Sequence, residues 1–428
     1  MSTAKQKKIP YHVWIVISCC MLMTTGIAIP LTCASTFFPK ISEALGVGSG
    51  PVSMIMTIQN VVVALLLPFA GKMLATKNVR TVLTTAMIIY AVGMGSMSFH
   101  SALWQFYVSG VILGIGGAFV IYLTVPIMIN NWFKAKVGLA MGVSFAFAGI
   151  GATVFSPVTG WAIDTYGWRP AYMFLAVAML TLSLPFTIFV MCNRPEDIGL
   201  RPYGDDGTQS AADKAKDAAS GVSTSVALRT PQFYMLFFFA GLLGVSAAML
   251  YQVTSYMVSL GYSTTMGASV VAAGTIGVTC GKVGVGYLND KIGLSGAAIA
   301  GITTGICGIL IMLFGVGFGL PAMFAGCVLY GVSYACTALE PPIVVRRIFG
   351  NKNYTQIFSY IMTCSAMGTA FGTSILGFIR DLTGSYAASL GLAMCLLIIA
   401  LTLVLLALKT GKNLEQKYAP CSSVQTHV

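Results

Sequence analysis

The chain has 428 residues, of which 57% are hydrophobic and only 8% are charged. Soluble domains carry roughly 25% charged residues, and no aqueous core could absorb so much apolar surface, so the composition excludes a water-soluble protein and indicates one embedded in a bilayer. The net charge of +12 needs no nucleic acid, because basic loops that face an anionic inner leaflet explain it.

Apolar runs without a charged residue predict the spanning helices, each of which needs about 20 residues. Six runs are long enough for one helix and three for two, the latter divided near His100, Tyr262 and Gly319. The first run resembles a signal peptide but is too long for one and lacks a cleavage site, so we interpret it as the first helix. Twelve helices are therefore predicted in the runs 13–39, 44–71, 81–133, 137–163, 170–193, 230–281, 292–339, 353–379 and 382–408. The second helix of the run 230–281 is expected to continue through Lys282 to about Leu288.

The basic residues indicate the orientation of these helices. With both termini in the cytoplasm, 20 of the 24 Lys and Arg residues face the inner side, as the positive-inside bias requires. The sequence therefore predicts a multi-pass protein of the cell (inner) membrane with two cytoplasmic termini.

Three motifs recur at nearly one spacing along the chain. GKMLATKNVR at Gly71 matches GYLNDKIGLS at Gly286, WFKAKVGLAMG around Phe133 matches IFGNKNYTQIF around Phe349, and GWAIDTYG matches GFIRDLTG, at offsets of 215, 216 and 217 residues. This regularity predicts two six-helix halves, 12–192 and 231–408. The other predicted segments are cytoplasmic: an N-terminus (1–11), a polar, mobile linker (193–230) with a short amphipathic piece at 211–219, and a tail (409–428).

The twelve spans, the duplication and a G-x-L-x-D-x-x-G-like loop after helices 2 and 8 together resemble the major facilitator superfamily. The resemblance implies an all-α membrane protein with twelve transmembrane helices in two pseudo-symmetric halves, which works by alternating access. In the first copy of the gating motif Gly71 is present, but Ala75 stands where the acid of the usual charge lock between helices should be. The second copy is well formed, with Gly286, Asp290, Lys291 and Gly293.

Four further stretches, NNWFKAKVGLAMG, NRPEDIGLRP, LRTPQFYML and RRIFGNKNY, resemble the branch that holds the oxalate:formate antiporters and the monocarboxylate transporters. The resemblance implies that a basic residue of helix 8, eight residues before the loop acid, binds the substrate carboxylate. The matching residue is Lys282. The branch usually has arginine there, which offers a planar bidentate fork to a carboxylate, whereas lysine offers a point charge.

Lys282 and Glu340 are the only charged residues that we place inside spans. A charge at the bilayer centre costs about 2.5–3.5 kcal/mol on insertion scales, so two retained charges indicate a cavity, a pair, or both. We interpret Lys282 as an anion-binding residue; the alternative is a structural ion pair with Glu340 or snorkelling to the inner surface. Glu340 is either a proton carrier or the counter-charge of Lys282. Pro341 and Pro342 after it indicate a broken or bent helix beside a cavity.

Weaker candidates are polar residues within the helices. Tyr122 and Tyr334 match positions at which the branch has cavity tyrosines, whose hydroxyl groups suit a small carboxylate. Interface packing is the alternative for both. A further set of polar side chains in helices 2, 7 and 11 is expected along the path: Gln59, Asn60, Gln252, Tyr256 and Ser365.

These features predict a secondary active transporter of small organic anions, in particular of a lactate- or pyruvate-like monocarboxylate. One buried cation balances one carboxylate, and residues 354–379 lack the second basic residue that the resemblance implies for oxalate exchangers. Proton symport and anion exchange remain open as the coupling. The alternatives are oxalate/formate-type dicarboxylate exchange and proton-driven export of lipophilic or cationic compounds, with Glu340 as the recognition acid and Lys282 as its partner.

The sequence does not predict an enzyme, because it has no catalytic constellation and no cofactor motif. No cofactor, metal ion or nucleic acid is expected. The expected partners are the lipid bilayer, the organic anion and the proton that drives symport, and the expected state is a monomer.

Overall fold

The structure, a computed structural model, describes residues 10–47, 49–205 and 221–411. The first nine residues, the centre of the linker with the piece predicted at 211–219, and the tail beyond 411 lie outside the described residues. Within the described ranges the regular elements are helices, and two isolated bridges join Phe133 to Tyr203 and Gly221 to Gly350.

Twelve helices in the described ranges are long and apolar enough to cross a membrane, which confirms the predicted fold class. The long apolar runs divide where the sequence predicted, next to His100, next to Tyr262 and at Gly319. In chain order the helices are α1 (Tyr11–Phe38), α2 (Pro51–Thr76), α3 (Val79–Phe99), α4 (Leu103–Trp132), α5 (Val137–Tyr166), α6 (Trp168–Val190), α7 (Pro231–Ser259), α8 (Ser269–Ile292), α9 (Leu294–Phe318), α10 (Leu320–Phe349), α11 (Tyr354–Arg380) and α12 (Tyr386–Gly411).

Several helix starts are fixed by local chemistry that the sequence displays. Asn78 precedes α3, and its side chain accepts a hydrogen bond from the Arg80 amide at 2.9 Å. Thr230 caps α7 in the same way, with Pro231 as the first helical residue. Such caps satisfy amide groups that have no partner within the helix, and proline is tolerated there because its missing N–H would be unpaired in any case.

Four of the helices, α1, α4, α7 and α10, are interrupted near their middle. In α1 the interruption is a wide π-helical stretch, Thr24–Thr32, that contains Pro30. The Gly26 carbonyl, four residues before this proline, accepts a hydrogen bond from the Tyr90 hydroxyl at 3.0 Å, and Gln59 donates to the same hydroxyl at 3.0 Å. Because Pro30 offers no N–H, these buried side chains supply hydrogen bonds where the helix is irregular.

In α10 the interruption lies at Ala335, between the segments Leu320–Tyr334 and Cys336–Phe349. The sequence suggested a break at Pro341 and Pro342, but both prolines lie inside the second helical segment. The carbonyls that they leave without a helical donor belong to the first turn after Ala335. The distortion is therefore concentrated at the start of that segment.

The described residues form two compact units. One contains α1–α6, the linker up to Asp205, and Thr275–Lys291 of α8; the other contains α7, the remaining part of α8, and α9–α12. In the first unit, a Cβ atom added to Gly116 of α4 would collide with Tyr90 of α3, and in the second, one added to Gly241 of α7 would collide with Cys364 of α11. Small residues permit such close backbone approach, which matters in a bilayer where no water drives helices together.

Candidate functional site

Lys282 lies on α8 in the first unit and is only 9% exposed. Its ammonium donates a hydrogen bond to the carbonyl oxygen of Phe145 on α5, at an Nζ–O distance of 3.1 Å. No carboxylate in the described part of this unit lies within 4.0 Å of the ammonium. Because an ammonium has three N–H donors, the bond to Phe145 leaves two donors for an anion.

The backbones of α5 and α8 are in direct contact around Lys282. A Cβ atom added to Gly142 would collide with the carbonyl oxygen of Lys282, and one added to Gly138 would collide with the carbonyl oxygen of Gly286. Only glycine fits at these two positions of α5. The close approach lets the Lys282 side chain reach a backbone acceptor on the neighbouring helix.

Asp290 holds the beginning of α5. Its Oδ1 accepts from the Gly138 amide at 2.9 Å, and its Oδ2 accepts from the Leu139 amide at 2.8 Å. The residue before the helix, Lys136, has a left-handed backbone with φ 56°, which turns the chain into the first helical turn. A carboxylate is favoured there because a helix N-terminus carries a partial positive charge and unpaired amides.

The other residues of the predicted gating motif differ in their surroundings. Gly286 lies in the close contact with Gly138, and Gly293 has φ 79°, which favours glycine between α8 and α9. Lys291 is exposed, with its ammonium 5.6 Å from the centre of the Tyr287 ring. Gly71, the counterpart of Gly286 in the first copy, is buried within α2.

Glu340 lies on α10 in the second unit and is fully buried (0% exposed). It belongs to the helical segment that begins after the interruption at Ala335, one turn after Cys336. A carboxyl group buried within a membrane-spanning helix is costly, so its retention indicates a function or a specific partner.

Both candidate tyrosines lie at helix interruptions. Tyr122 is in the turn at 121–123 that separates the two helical segments of α4, and Tyr334 is the last residue before the interruption of α10. Each is half-buried. Irregular backbone at membrane depth is tolerated where it is buried in protein or lines a cavity, so these positions are compatible with either role.

The remaining path candidates make local contacts. Tyr256 is 5% exposed and its hydroxyl donates to the carbonyl oxygen of Met312 on α9 at 2.8 Å, which joins α7 to α9. Ser365 is 3% exposed on α11, and its carbonyl accepts from Thr369 Oγ1 at 3.0 Å. Gln252 is half-buried on α7.

On α2, Asn60 donates to the carbonyl oxygen of Met56 at 3.0 Å, whereas Gln59 is 1% exposed and bonded to Tyr90. The sequence did not single out Tyr90 or Phe145. Tyr90 is one of many aromatic residues in apolar runs, and Phe145 contributes only its backbone carbonyl, which no side-chain pattern reveals.

A family model of the major facilitator superfamily matches residues 15–373. The chain belongs to the major facilitator superfamily. Among the curated relatives, monocarboxylate transporter 13 of Bos taurus is 26% identical over 323 residues, which cover 74% of this chain and 71% of the relative. Monocarboxylate transporter 12 of Xenopus laevis is 22% identical over 97% of this chain and 93% of its own. These relatives confirm the predicted resemblance to the monocarboxylate transporter branch.

Comparison with solved structures gives the same fold. The chain superposes on the major facilitator superfamily transporter FucP, in the outward conformation, with a TM-score of 0.69 and 14% sequence identity, over 93% of this chain and 99% of that one. The superfamily consists of transporters that cross the membrane many times, which agrees with the twelve spanning helices.

Proposed function

We propose that this chain is a secondary active transporter of small monocarboxylates, with Lys282 as the residue that binds the carboxylate. The observation that carries the proposal is a buried ammonium on α8 whose described acceptor is a neutral backbone carbonyl. The names of the relatives, which are monocarboxylate transporters, support the same substrate class.

The donors of Lys282 account for the chemistry of binding. A carboxylate that reaches the ammonium receives a charge-assisted hydrogen bond, which is about twice as strong as a neutral one. One cation neutralises one carboxylate, and residues 354–379 of α11 contain no Lys or Arg. A monoanion such as lactate is therefore favoured over a dianion such as oxalate.

Further residues are proposed from the sequence to take part in transport. From the sequence we assign substrate-binding roles to Tyr122 and Tyr334, which lie at the interruptions of α4 and α10, and to Gln252, Tyr256 and Ser365. Glu340 carries the coupling proton in symport, since it is a fully buried carboxyl group within a span. The alternative that the sequence left open, Glu340 as a counter-charge, is our proposal for an exchange mode.

Alternating access requires that helices part and close again. We assign this role to the α5–α8 contact, in which Gly286 allows the close approach and Asp290 binds the start of α5. The exposed Lys291, Gly293 and the corresponding Gly71 complete the gating motif. The halves 12–192 and 231–408, a monomeric state, and a cell-membrane location with cytoplasmic termini belong to the same proposal.

The test is uptake of labelled lactate, pyruvate, formate and oxalate into proteoliposomes, with and without an inward proton gradient. For the wild type we expect uptake of monocarboxylates, stimulated by the gradient if the coupling is symport. Lys282→Ala should reduce the initial rate at least about tenfold, the effect of about 1.4 kcal/mol in transition-state binding. Lys72→Ala, which removes an exposed lysine at the end of α2, is the matched control and should transport normally.

A second candidate function, proton-driven export of lipophilic or cationic compounds, is favoured by the full burial of Glu340. It predicts loss of transport in Glu340→Gln and normal transport in Lys282→Ala. If none of the four anions moves, or if Lys282→Ala transports them as the wild type does, the monocarboxylate proposal is wrong.

A further inference from the structure

Residues 191–205, which follow α6 and include the first part of the linker, are held against the first unit and are called the strap below. Near its start, the carbonyl of Met191 accepts from Arg80 Nε at 3.2 Å and that of Cys192 accepts from Trp132 Nε1 at 3.1 Å. Asn193 accepts from the Val79 amide at 2.8 Å through its side chain. These bonds attach the strap to the first residues of α3 and to the last residue of α4. The sequence, by contrast, predicted a mobile linker from residue 193 onwards.

Near its end, the strap pairs with the loop between α4 and α5. The Tyr203 amide donates to the Trp132 carbonyl at 2.8 Å, and the Tyr203 carbonyl accepts from the amides of Lys134 and Ala135 at 2.9 and 3.2 Å. The Tyr203 ring lies 4.7 Å from the ring of His12 and 5.5 Å from that of Phe133, measured between centroids. Tyr203 therefore fixes both the backbone and the aromatic surface of this loop.

The loop between α4 and α5 leads directly into the two backbone amides that bind Asp290. Lys136, directly after the residues that Tyr203 holds, has φ 56°, and Gly138 and Leu139 then donate to the Asp290 carboxylate. A left-handed conformation costs a residue other than glycine roughly 1–2 kcal/mol, so it persists only where the surroundings impose it. The bridge to Tyr203 lies directly before this residue and supplies that constraint.

We propose that Tyr203 and the adjoining strap position the first turn of α5 so that its amides bind Asp290, and that detaching the strap from the loop weakens this bond. Tyr203 acts through the loop and touches neither Asp290 nor a transported anion. Strap attachment thereby governs how readily α5 and α8 separate, and anion binding at Lys282 is left unchanged. The transport consequence rests on the proposed function, but the effect on the α5–α8 contact does not.

Two glycines of the strap provide a matched pair of variants. Gly204 has φ 84°, and a Cβ atom added to it would collide with Ala135 of the loop; Gly199 has φ 72°, and a Cβ atom added to it meets nothing within 4 Å. Gly204→Ala and Gly199→Ala therefore introduce similar backbone strain, but only the first pushes the strap away from the loop.

The separation of α5 from α8 is measured by the labelling rate of a cysteine introduced at residue 289 of α8. This residue packs beside Gly138 of α5 and becomes more accessible when the two helices separate. Asn289→Cys is treated with a maleimide in the purified full chain, and the tryptic peptide 283–291, which has no native cysteine, is quantified by mass spectrometry. We expect Gly204→Ala to raise the rate at least about fivefold and Gly199→Ala to leave it within about twofold. On an Asp290→Asn background, where the bond is already weakened, Gly204→Ala should add little.

Transport gives a second readout. With the anion that the wild type transports, Gly204→Ala should change kcat and leave KM within about twofold. Equal labelling in Gly204→Ala and Gly199→Ala, or a full additional effect of Gly204→Ala in the Asp290→Asn background, overturns the proposal. Should Gly204→Ala not give folded protein by size-exclusion chromatography, Tyr203→Ala replaces it; this variant removes the ring contacts with His12 and Phe133 but keeps the backbone bonds, so it should raise the labelling rate by a smaller factor. If no carboxylate is transported, the proposed function fails while the labelling result still decides this inference.

Discussion

The starts of α5 and α11 occupy equivalent places in the duplicated chain but are built differently. At the offset of 216 residues that relates Phe133 to Phe349, Gly138 and Gly142 of α5 correspond to Tyr354 and Phe358 of α11. The two glycines bring the backbone of α5 against that of α8. The two aromatic residues instead stack on each other, with ring centroids 5.6 Å apart and planes within 6°, and are 6% and 1% exposed.

The residues that hold these helix starts differ as well. The α5 amides receive the charged carboxylate of Asp290, whereas the motif copy that precedes α3 has Ala75 in place of that acid. At the start of α11, neutral side chains meet: Asn353 donates to Thr224 Oγ1 at 2.9 Å, and Thr224 donates to Gln356 at 3.3 Å. The start of α5 is therefore held by a charged carboxylate and a close backbone contact, whereas the start of α11 is held by stacked rings and neutral hydrogen bonds.

Of the three substitutions that test this comparison, Gly142→Ala should change stability the most. It gives α5 a side chain at the position where α11 has Phe358. The added Cβ collides with a backbone carbonyl, that of Lys282, which cannot rotate away, so we expect a loss of about 1–3 kcal/mol in the free energy of unfolding. Unfolding in mixed micelles of increasing dodecyl sulfate content measures it. Gly160→Ala, on the same helix with nothing within 4 Å of the added Cβ, is the control and should be neutral or stabilising. Equal stability of the two variants would show that α5 and α8 are not in close contact.

Asp290→Asn should have an intermediate effect, because it removes the charge and one of two acceptors at the start of α5. We expect a loss of about 1–2 kcal/mol at that helix end, which speeds hydrogen exchange of the Gly138 and Leu139 amides by about 5- to 30-fold. Asp164→Asn, near the opposite end of α5 and exposed, should not slow or speed that exchange. If these two amides exchange at the same rate in Asp290→Asn as in the wild type, the Asp290 carboxylate does not stabilise the start of α5.

Ala75→Asp should have the smallest effect, although it restores the motif acid to the first copy. Position 75 is exposed near the C-terminus of α2, where a carboxylate opposes the helix dipole, so we expect a loss of about 0.3–1 kcal/mol. The thermal unfolding midpoint, compared with that of the uncharged Ala75→Asn, measures this loss. A gain in stability would indicate that the first copy still offers the acid a partner, and the two copies would then be more alike than the structure shows.

Much of the fold could be predicted from the sequence because its signals are local. Long charge-free runs gave all twelve spans, and the run 170–193 differs from α6 by only a few residues at each end. The sequence also placed Lys282 within helix 8, but it put Asp290 in the loop after that helix, whereas α8 continues through Asp290 to Ile292. These features depend on residue type along the chain, which a sequence displays directly.

The remaining features depend on backbone groups and on close approach, which a sequence does not display. The acceptor of Lys282 and the donors to Asp290 are a carbonyl and two amides. The interruption at Ala335 lies six residues before Pro341, so the two prolines indicated a distorted helix but not the position of the interruption. Tyr203 attaches the strap through its own amide and carbonyl, so the polar composition of 193–205 predicted mobility where the structure has a bound segment.

The interruption of α4 at 121–123 has a mechanical consequence. The segment after it, Thr124–Trp132, has nine residues and forms a lever arm about 13 Å long. A tilt of about 10° at the interruption moves the far end of this arm by about 2 Å, which is enough to break a hydrogen bond. That end is Trp132, whose indole donates to the Cys192 carbonyl and whose carbonyl accepts from the Tyr203 amide. A small rotation in the middle of α4 is therefore sufficient to change how the strap is held.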